Sequence, residues 1–193
     1  MQHKFTASHA AALTMALTAA AAHAAPSTYA IEPNHTYVTF EAKHFGTSTN
    51  RGRFDKKSGT VTIDTSSKTG QIDMTIEMAS INTGSEAFNN HLKSKDFLNV
   101  EAFPQAMFKS NKIVFEGDKI VAAVGDLTLL GKTQTVTLKA NNYGCYDNPM
   151  FKRQVCGGDF ETTIQRSDFG MSYGLPFIPN DIRLVIQVEG VKQ

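Results

Sequence analysis

The sequence predicts an all-β, antiparallel fold, a sandwich or a barrel, with one helical excursion at about residues 83–98. Three observations carry this reading. Apolar and polar residues alternate with a period of two in segment after segment, the pattern of strands with one buried face. Turn-forming residues separate those segments at short spacing: Pro33-Asn34, Gly46, Gly52, Gly59, Gly70, Glu116-Gly117-Asp118, Gly131 and Pro179-Asn180-Asp181. A single stretch, TGSEAFNNHLKSKDFL, abandons the alternation for helical spacing.

Taken in order, TYVTFEAKH sets Val38, Phe40, Ala42 and His44 on one face and Tyr37, Thr39, Glu41 and Lys43 on the other. Val61 and Ile63 repeat the pattern. GQIDMTIEM is cleaner, with Ile72, Met74, Ile76 and Met78 opposite Asp73, Thr75 and Glu77. In the excursion, Thr83 is the expected N-cap and Glu86 its capping-box partner. Phe88 and Leu92, four apart, share a face. Ser94 offers a second cap before Phe97 and Leu98, and Pro104 ends the segment. QAMFKSNKIVFEG returns to strand, and Val136, Leu138, Phe160, Thr162 and Ile164 alternate after it. RLVIQVEG closes the chain with Leu184, Ile186 and Val188 in phase. The total is roughly eight or nine strands.

The chain begins MQHKFTASHAAALTMALTAAAAHAAPS, a positive residue and then an apolar, alanine-rich run ending in Ala22-His23-Ala24. That is the layout of a cleaved secretory signal covering 1–24, too short and too weakly hydrophobic for a membrane span. Residues 25–193 then form one domain, with no repeat or linker to divide them. Loss of Lys4 from the 19 basic residues balances the 18 acidic ones. A neutral chain gives no electrostatic basis for binding nucleic acid or an anionic membrane. Cys145 and Cys156, alone in an exported chain, point to a local disulfide across an exposed excursion.

Catalytic signatures are missing. There is no Gly-x-Ser-x-Gly elbow, phosphate-cradling Gly-rich loop or His-Glu-x-x-His helix. His35, His44 and His91, the histidines that survive maturation, lie far apart in sequence. Folding could still bring them together, so a metal-assisted hydrolase stays open as an alternative. Hydrogen-bonded structural roles are the expectation for His44 and His91. Asp73 and Glu77 read as solvated surface, and Asp168 as a turn residue before Gly170. The apolar face is rich in Phe and Met, with 13 and 7 in the chain and no Trp. Such side chains suit an adaptable cavity or a filled core. Small residues such as Ala42, Ala79, Ala122 and Gly125 leave room between large ones. A filled barrel acting as a stress-response or protein-interaction module is the second alternative.

Five motifs in order resemble the YceI-like family of bacterial periplasmic, lipocalin-like lipid-binding proteins. They are YAIEPNHTYVTFEAKHFG, RGRFDKKSGTVTID, NNHLKSKDFLNVEAFPQAMFKS, LTLLGKTQTVTL and IQRSDFGMSYGLPFIPNDIRLVIQVEG. The resemblance implies an eight-stranded antiparallel barrel and an elongated apolar pocket. It also implies an isoprenoid, isoprenoid quinone or fatty-acid derivative as ligand, with no catalysis and no required cofactor. It places the protein in the periplasm of a Gram-negative cell, without stable membrane insertion. A homodimer is plausible on the same ground, as is a membrane electron-transfer partner if the lipid is a quinone. Two positions depart from the family pattern: Asn89-Asn90 stands where relatives often carry a charged pair, and Leu129-Leu130-Gly131 where they commonly read Leu-His-Gly. No phosphate-binding residue is carried over.

The expected pocket lining follows the apolar phase. From the first strands it takes Val38, Phe40, Ala42, His44, Ile72, Met74, Ile76 and Met78. Phe88, Leu92 and Phe97 would cover it. Phe108, Leu127, Leu129, Leu138 and Ile164 continue the wall, and Phe169, Met171, Leu184, Ile186 and Val188 complete it.

Overall fold

A computed structural model describes residues 25–193. The segment read as a secretory signal lies outside them. Eleven strand segments form one sheet among the described residues, and the sheet closes on itself because β1 (Ser27–Ile31) pairs with both β4 (Lys57–Asp64) and β11 (Asp181–Lys192). All pairings are antiparallel.

The segments lie on eight lines, as expected for the barrel. β11 pairs with β1 near its C-terminus, Tyr29 opposite Lys192, and with β2 (Tyr37–His44) near its N-terminus, Arg183 opposite Glu41. β1 and β2 are therefore one broken line. β3 (Ser48–Phe54) and β4 form the next, and β5 (Thr69–Glu77) and β6 (Ile81–Asn82) the third. β7 (Gln105–Glu116), β8 (Lys119–Leu129), β9 (Lys132–Asn148) and β10 (Arg153–Gln165) run unbroken. The three breaks account for the excess over eight or nine strands.

Polar side chains stitch each break. Asp55 N–H donates to the Ser80 carbonyl at 3.1 Å, and Lys56 N–H to Ser80 Oγ at 3.0 Å. Glu189 N–H donates to Thr36 Oγ1 at 3.1 Å, while the fully buried Thr36 hydroxyl donates back to the Glu189 carbonyl. Glu32, also buried, accepts from Asn34 N–H and Nδ2 and from His35 N–H and Nδ1 at 2.7–3.1 Å. Burial alone would raise its pKa. The hydrogen bonds from Asn34 and His35 outweigh that cost and hold the carboxyl below its usual value.

Beyond the third break, β6 pairs with β3 alone, and the chain leaves the sheet. The helix that follows, α1 (Glu86–Lys93), is shorter than expected and capped elsewhere. Ser85, not Thr83, is its N-cap, accepting from Phe88 N–H. Thr83 is drawn aside instead: its N–H and hydroxyl both donate to Asn89 Oδ1 at 2.8 Å. Ser94 is the C-cap, and turns lead on to Pro104, whose carbonyl accepts from Met78 N–H at 2.9 Å.

The cysteines form the expected disulfide, but not across a loop excursion. Cys145 and Cys156 are direct cross-strand partners in the long β9–β10 hairpin, eleven residues apart. Cys156 is buried against Tyr29, Ile63, Ile113 and Ile120 at the lower end of the barrel.

Two outcomes are expected. Reduction, or a Cys145→Ser/Cys156→Ser pair, should lower unfolding free energy by about 3 kcal/mol in denaturant titrations. Glu32 should make the fold acid-sensitive. Its folded pKa lies below its unfolded one, so its contribution is full above the unfolded value and is lost as pH falls through the folded value. Glu32→Gln should cost about 1–3 kcal/mol near neutrality and flatten that acid limb in urea titrations at stepped pH.

Candidate functional site

The upper half of the barrel, toward α1, contains a cavity of about 890 Å³. Its wall follows the alternating faces: Val38, Phe40 and Ala42 on β2, Ile76 on β5 and Met78 just after it, Leu127 and Leu129 on β8, Ile164 on β10 and Leu184 on β11. A separate chamber of about 90 Å³ lies in the lower half. Ile72, Met74, Phe108, Leu138, Ile186 and Val188 line it. Every expected lining residue but one therefore borders one of these spaces. Phe169 is the exception: it is 2% exposed within the core cluster and touches neither cavity. Its 3-10 turn, Arg166–Phe169, directs it into packing, and Gly170 at φ 89° ends that turn in the left-handed region.

Three segments surround the mouth. The first is the β2–β3 turn carrying Phe45, which is 60% exposed. The second is α1 with the turns after it, contributing Phe88, His91, Leu92, Phe97 and Leu98. The third is the connection from β10 to β11, contributing Met171, Tyr173, Leu175, Phe177 and Ile178. Aromatic contacts join them. Phe45 and Phe177 have ring centroids 6.4 Å apart. His91 meets Phe97 at 4.9 Å and Tyr173 at 5.9 Å, both edge-on.

The expected hydrogen-bonding roles of His44 and His91 are thus replaced by aromatic ones. Both rings stand at a mouth lined by aromatic rather than polar groups, and His44 packs edge-on against Phe45 at 4.7 Å. His35 sits in its turn, donating from Nδ1 to Glu32 at 2.7 Å. Among the described residues, no three His, Cys, Asp or Glu side chains converge as metal ligands.

Sequence reasoning missed Arg166. It is 2% exposed, borders the cavity and has no carboxylate partner. Backbone carbonyls take that place. Nε donates to Pro179 at 3.0 Å, Nη1 to Met171 at 3.1 Å and Tyr173 at 2.8 Å, and Nη2 to Ile178 at 3.0 Å. Burial lowers its pKa. Asn180 seals the base of the same loop, accepting from Ser167 N–H at 2.9 Å and donating to Ser167 Oγ at 2.8 Å. One guanidinium thereby fixes the backbone of the whole third segment. The loop residues themselves lack any period, which hid them. Ile182 was findable, being two before Leu184 in the same phase.

This barrel, with its broken lines and apolar upper cavity, invites comparison with known proteins. A model of the YceI-like domain matches residues 29–190. The chain belongs to the YceI-like family. Protein YceI of Salmonella enteritidis is 36% identical over 163 residues, 84% of each chain. The crystal structure of the Campylobacter jejuni YCEI protein superimposes with a TM-score of 0.68 at 28% identity, covering 78% of this chain and 90% of that one. A polyisoprenoid binding domain from Saccharophagus degradans, implicated in plant cell wall breakdown, shares the fold with a TM-score of 0.63 at 14% identity, over 86% of this chain and 98% of its own. The YceI-like barrel expected from the five motifs is the one observed.

Arg166→Ala should leave four carbonyls without their donors. Charged hydrogen bonds contribute about 1.5–3 kcal/mol each, so a loss of at least about 3 kcal/mol is expected in thermal or chemical unfolding. Hydrogen exchange should rise selectively over 170–180, the segment those bonds fix.

Proposed function

We propose that this chain is a non-enzymatic periplasmic protein that holds an isoprenoid-like lipid inside its barrel for transport, storage or sequestration. The observation that carries the reading is the apolar upper cavity of about 890 Å³, open at an aromatic mouth. Family membership supports it, as does the fold shared with a domain described as polyisoprenoid-binding.

The energetics are favourable. Each methylene taken from water is worth about 0.8 kcal/mol, enough over a long chain to offset its ordering. Met and Phe in the wall adapt to irregular chains. The tail of a quinone and that of a redox-inert polyprenyl lipid meet the same wall. A quinone would add a role beside membrane electron transfer. The segment 1–24, read as a secretory signal, and the disulfide support export to an oxidising compartment. The cavity weighs against a filled-core interaction module, and the dispersed histidines give a hydrolase no shared site.

Native mass spectrometry of protein purified from its own host should reveal a copurifying lipid. Protein that emerges only apo and takes up neither quinone nor polyprenyl lipid on titration would refute the proposal. Leu92→Asp puts a charge on the cavity face of α1 and should reduce retention at least tenfold, or unfold the cover. His91→Gln should leave retention within a few-fold of the wild type, because the cavity wall beneath it is unchanged.

A further inference from the structure

We infer that a packed layer of Met74, Phe108 and Ile186 divides the barrel and sets the length of chain it accepts, with Phe108 as the determining residue. This rests on the binding reading above and concerns where the far end of the chain stops.

The two cavities share no wall residue. On three strands, successive inward residues fall on opposite sides of the divide: Ile76 and Met74 on β5, Ala106 and Phe108 on β7, Leu184 and Ile186 on β11. Met74 and Phe108 are direct cross-strand partners and, like Ile186, only 5–7% exposed. A chain descending from the mouth therefore ends on this layer.

Phe108 is its thin point. Directly above it on β7 is Ala106, a single methyl. On β7, Phe108 is the first inward side chain on the lower side of the divide. The ring lies against Gly125 of β8, where a Cβ would stand 2.7 Å from Phe108 Cζ and 2.5 Å from the Lys109 carbonyl. The missing side chain at Gly125 is what admits the ring. Below lies an apolar chamber bordered by Tyr143, whose phenol burial pushes up to about 12. Such a space accepts hydrocarbon.

Removing the ring should join the chambers. The lower one offers about 90 Å³, room for about three water-sized groups, and the deleted ring adds its own volume. The longest chain retained should grow by about one or two isoprene units.

The test is a native mass spectrometry competition among all-trans prenyl alcohols differing by one isoprene unit. Wild type should show a sharp upper limit of length. Phe108→Ala should move the limit up, and Phe108→Leu should serve where the alanine variant does not fold. Adding Ala123→Leu, which refills the lower chamber, should restore the original limit. A folded Phe108 variant with the wild-type limit overturns the inference while leaving the binding reading standing. Wild type that takes up no prenyl alcohol of any length overturns the binding reading itself.

Discussion

The double use of β11 is the constraint on which the rest of the barrel depends. A closed barrel leaves no backbone edge unpaired, so each line must find two neighbours along its whole length. Here β11 meets β1 at one end and β2 at the other, with Glu32–Thr36 between them. The break passes to the neighbouring lines at Asp55-Lys56 and at Met78–Ser80, because each line must follow the one it pairs with. Below the breaks the eight lines close tightly around Tyr29, Ile63, Ile113 and Ile120. Above them, β6 has no partner in β7, and the barrel is no longer a continuous sheet. The cavity exists in that half, and α1 with its following turns occupies the gap. The Phe103 ring reaches as far as the β8–β9 turn, lying against Gly131, whose φ of 71° only glycine adopts freely.

A covered gap needs order without a sheet to supply it. Arg166 provides it on one side through four carbonyls, a set of neutral dipoles that compensates a buried cation without introducing a second charge. Ser85 and Asn89 provide it on the other, by fixing the start of α1 and the approach to it. The two sides meet through His91, Phe97 and Tyr173, whose contacts are edge-on rings of modest individual strength. The roof is thus two hydrogen-bonded backbone segments that meet through aromatic contacts.

Where the alternation ran undisturbed, the inward face was legible. Val38 to Ala42, Ile72 to Met78 and Leu184 to Val188 all face the interior as their apolarity dictates. It failed at Ala122, which is out of phase with Leu127 and Leu129: Ala123 keeps their phase and borders the lower chamber, and the register shift between Val114 and Phe115 brings Ile120 to the same side. Ala79 lies exposed in a 3-10 turn and leaves no room inside. The helix start was misplaced by two residues: Ser85 caps α1, while Asn89 holds the expected cap, Thr83, aside. Apart from Met171, the roof segment 170–180 was illegible for a deeper reason: its apolar residues are ordered by the Arg166 guanidinium, and no local period records that.

The same compensation of Arg166 bears on what the cavity can discriminate. A guanidinium has five N–H donors, and four of these are engaged by the loop. Within the wall, little directed polarity is left to read a head group. The remaining polar side chains at the mouth, Lys43, His44 and Asn50, stand near exposed aromatic groups in contact with water. Charged contacts there are screened and weak. Apolar walls separate similar chains by only about 1–3 kcal/mol per methylene, and they do so chiefly where a chain meets a stop. On the proposed reading, selectivity accordingly resides at the closed end of the cavity, in packing volume, and only secondarily at the aromatic mouth.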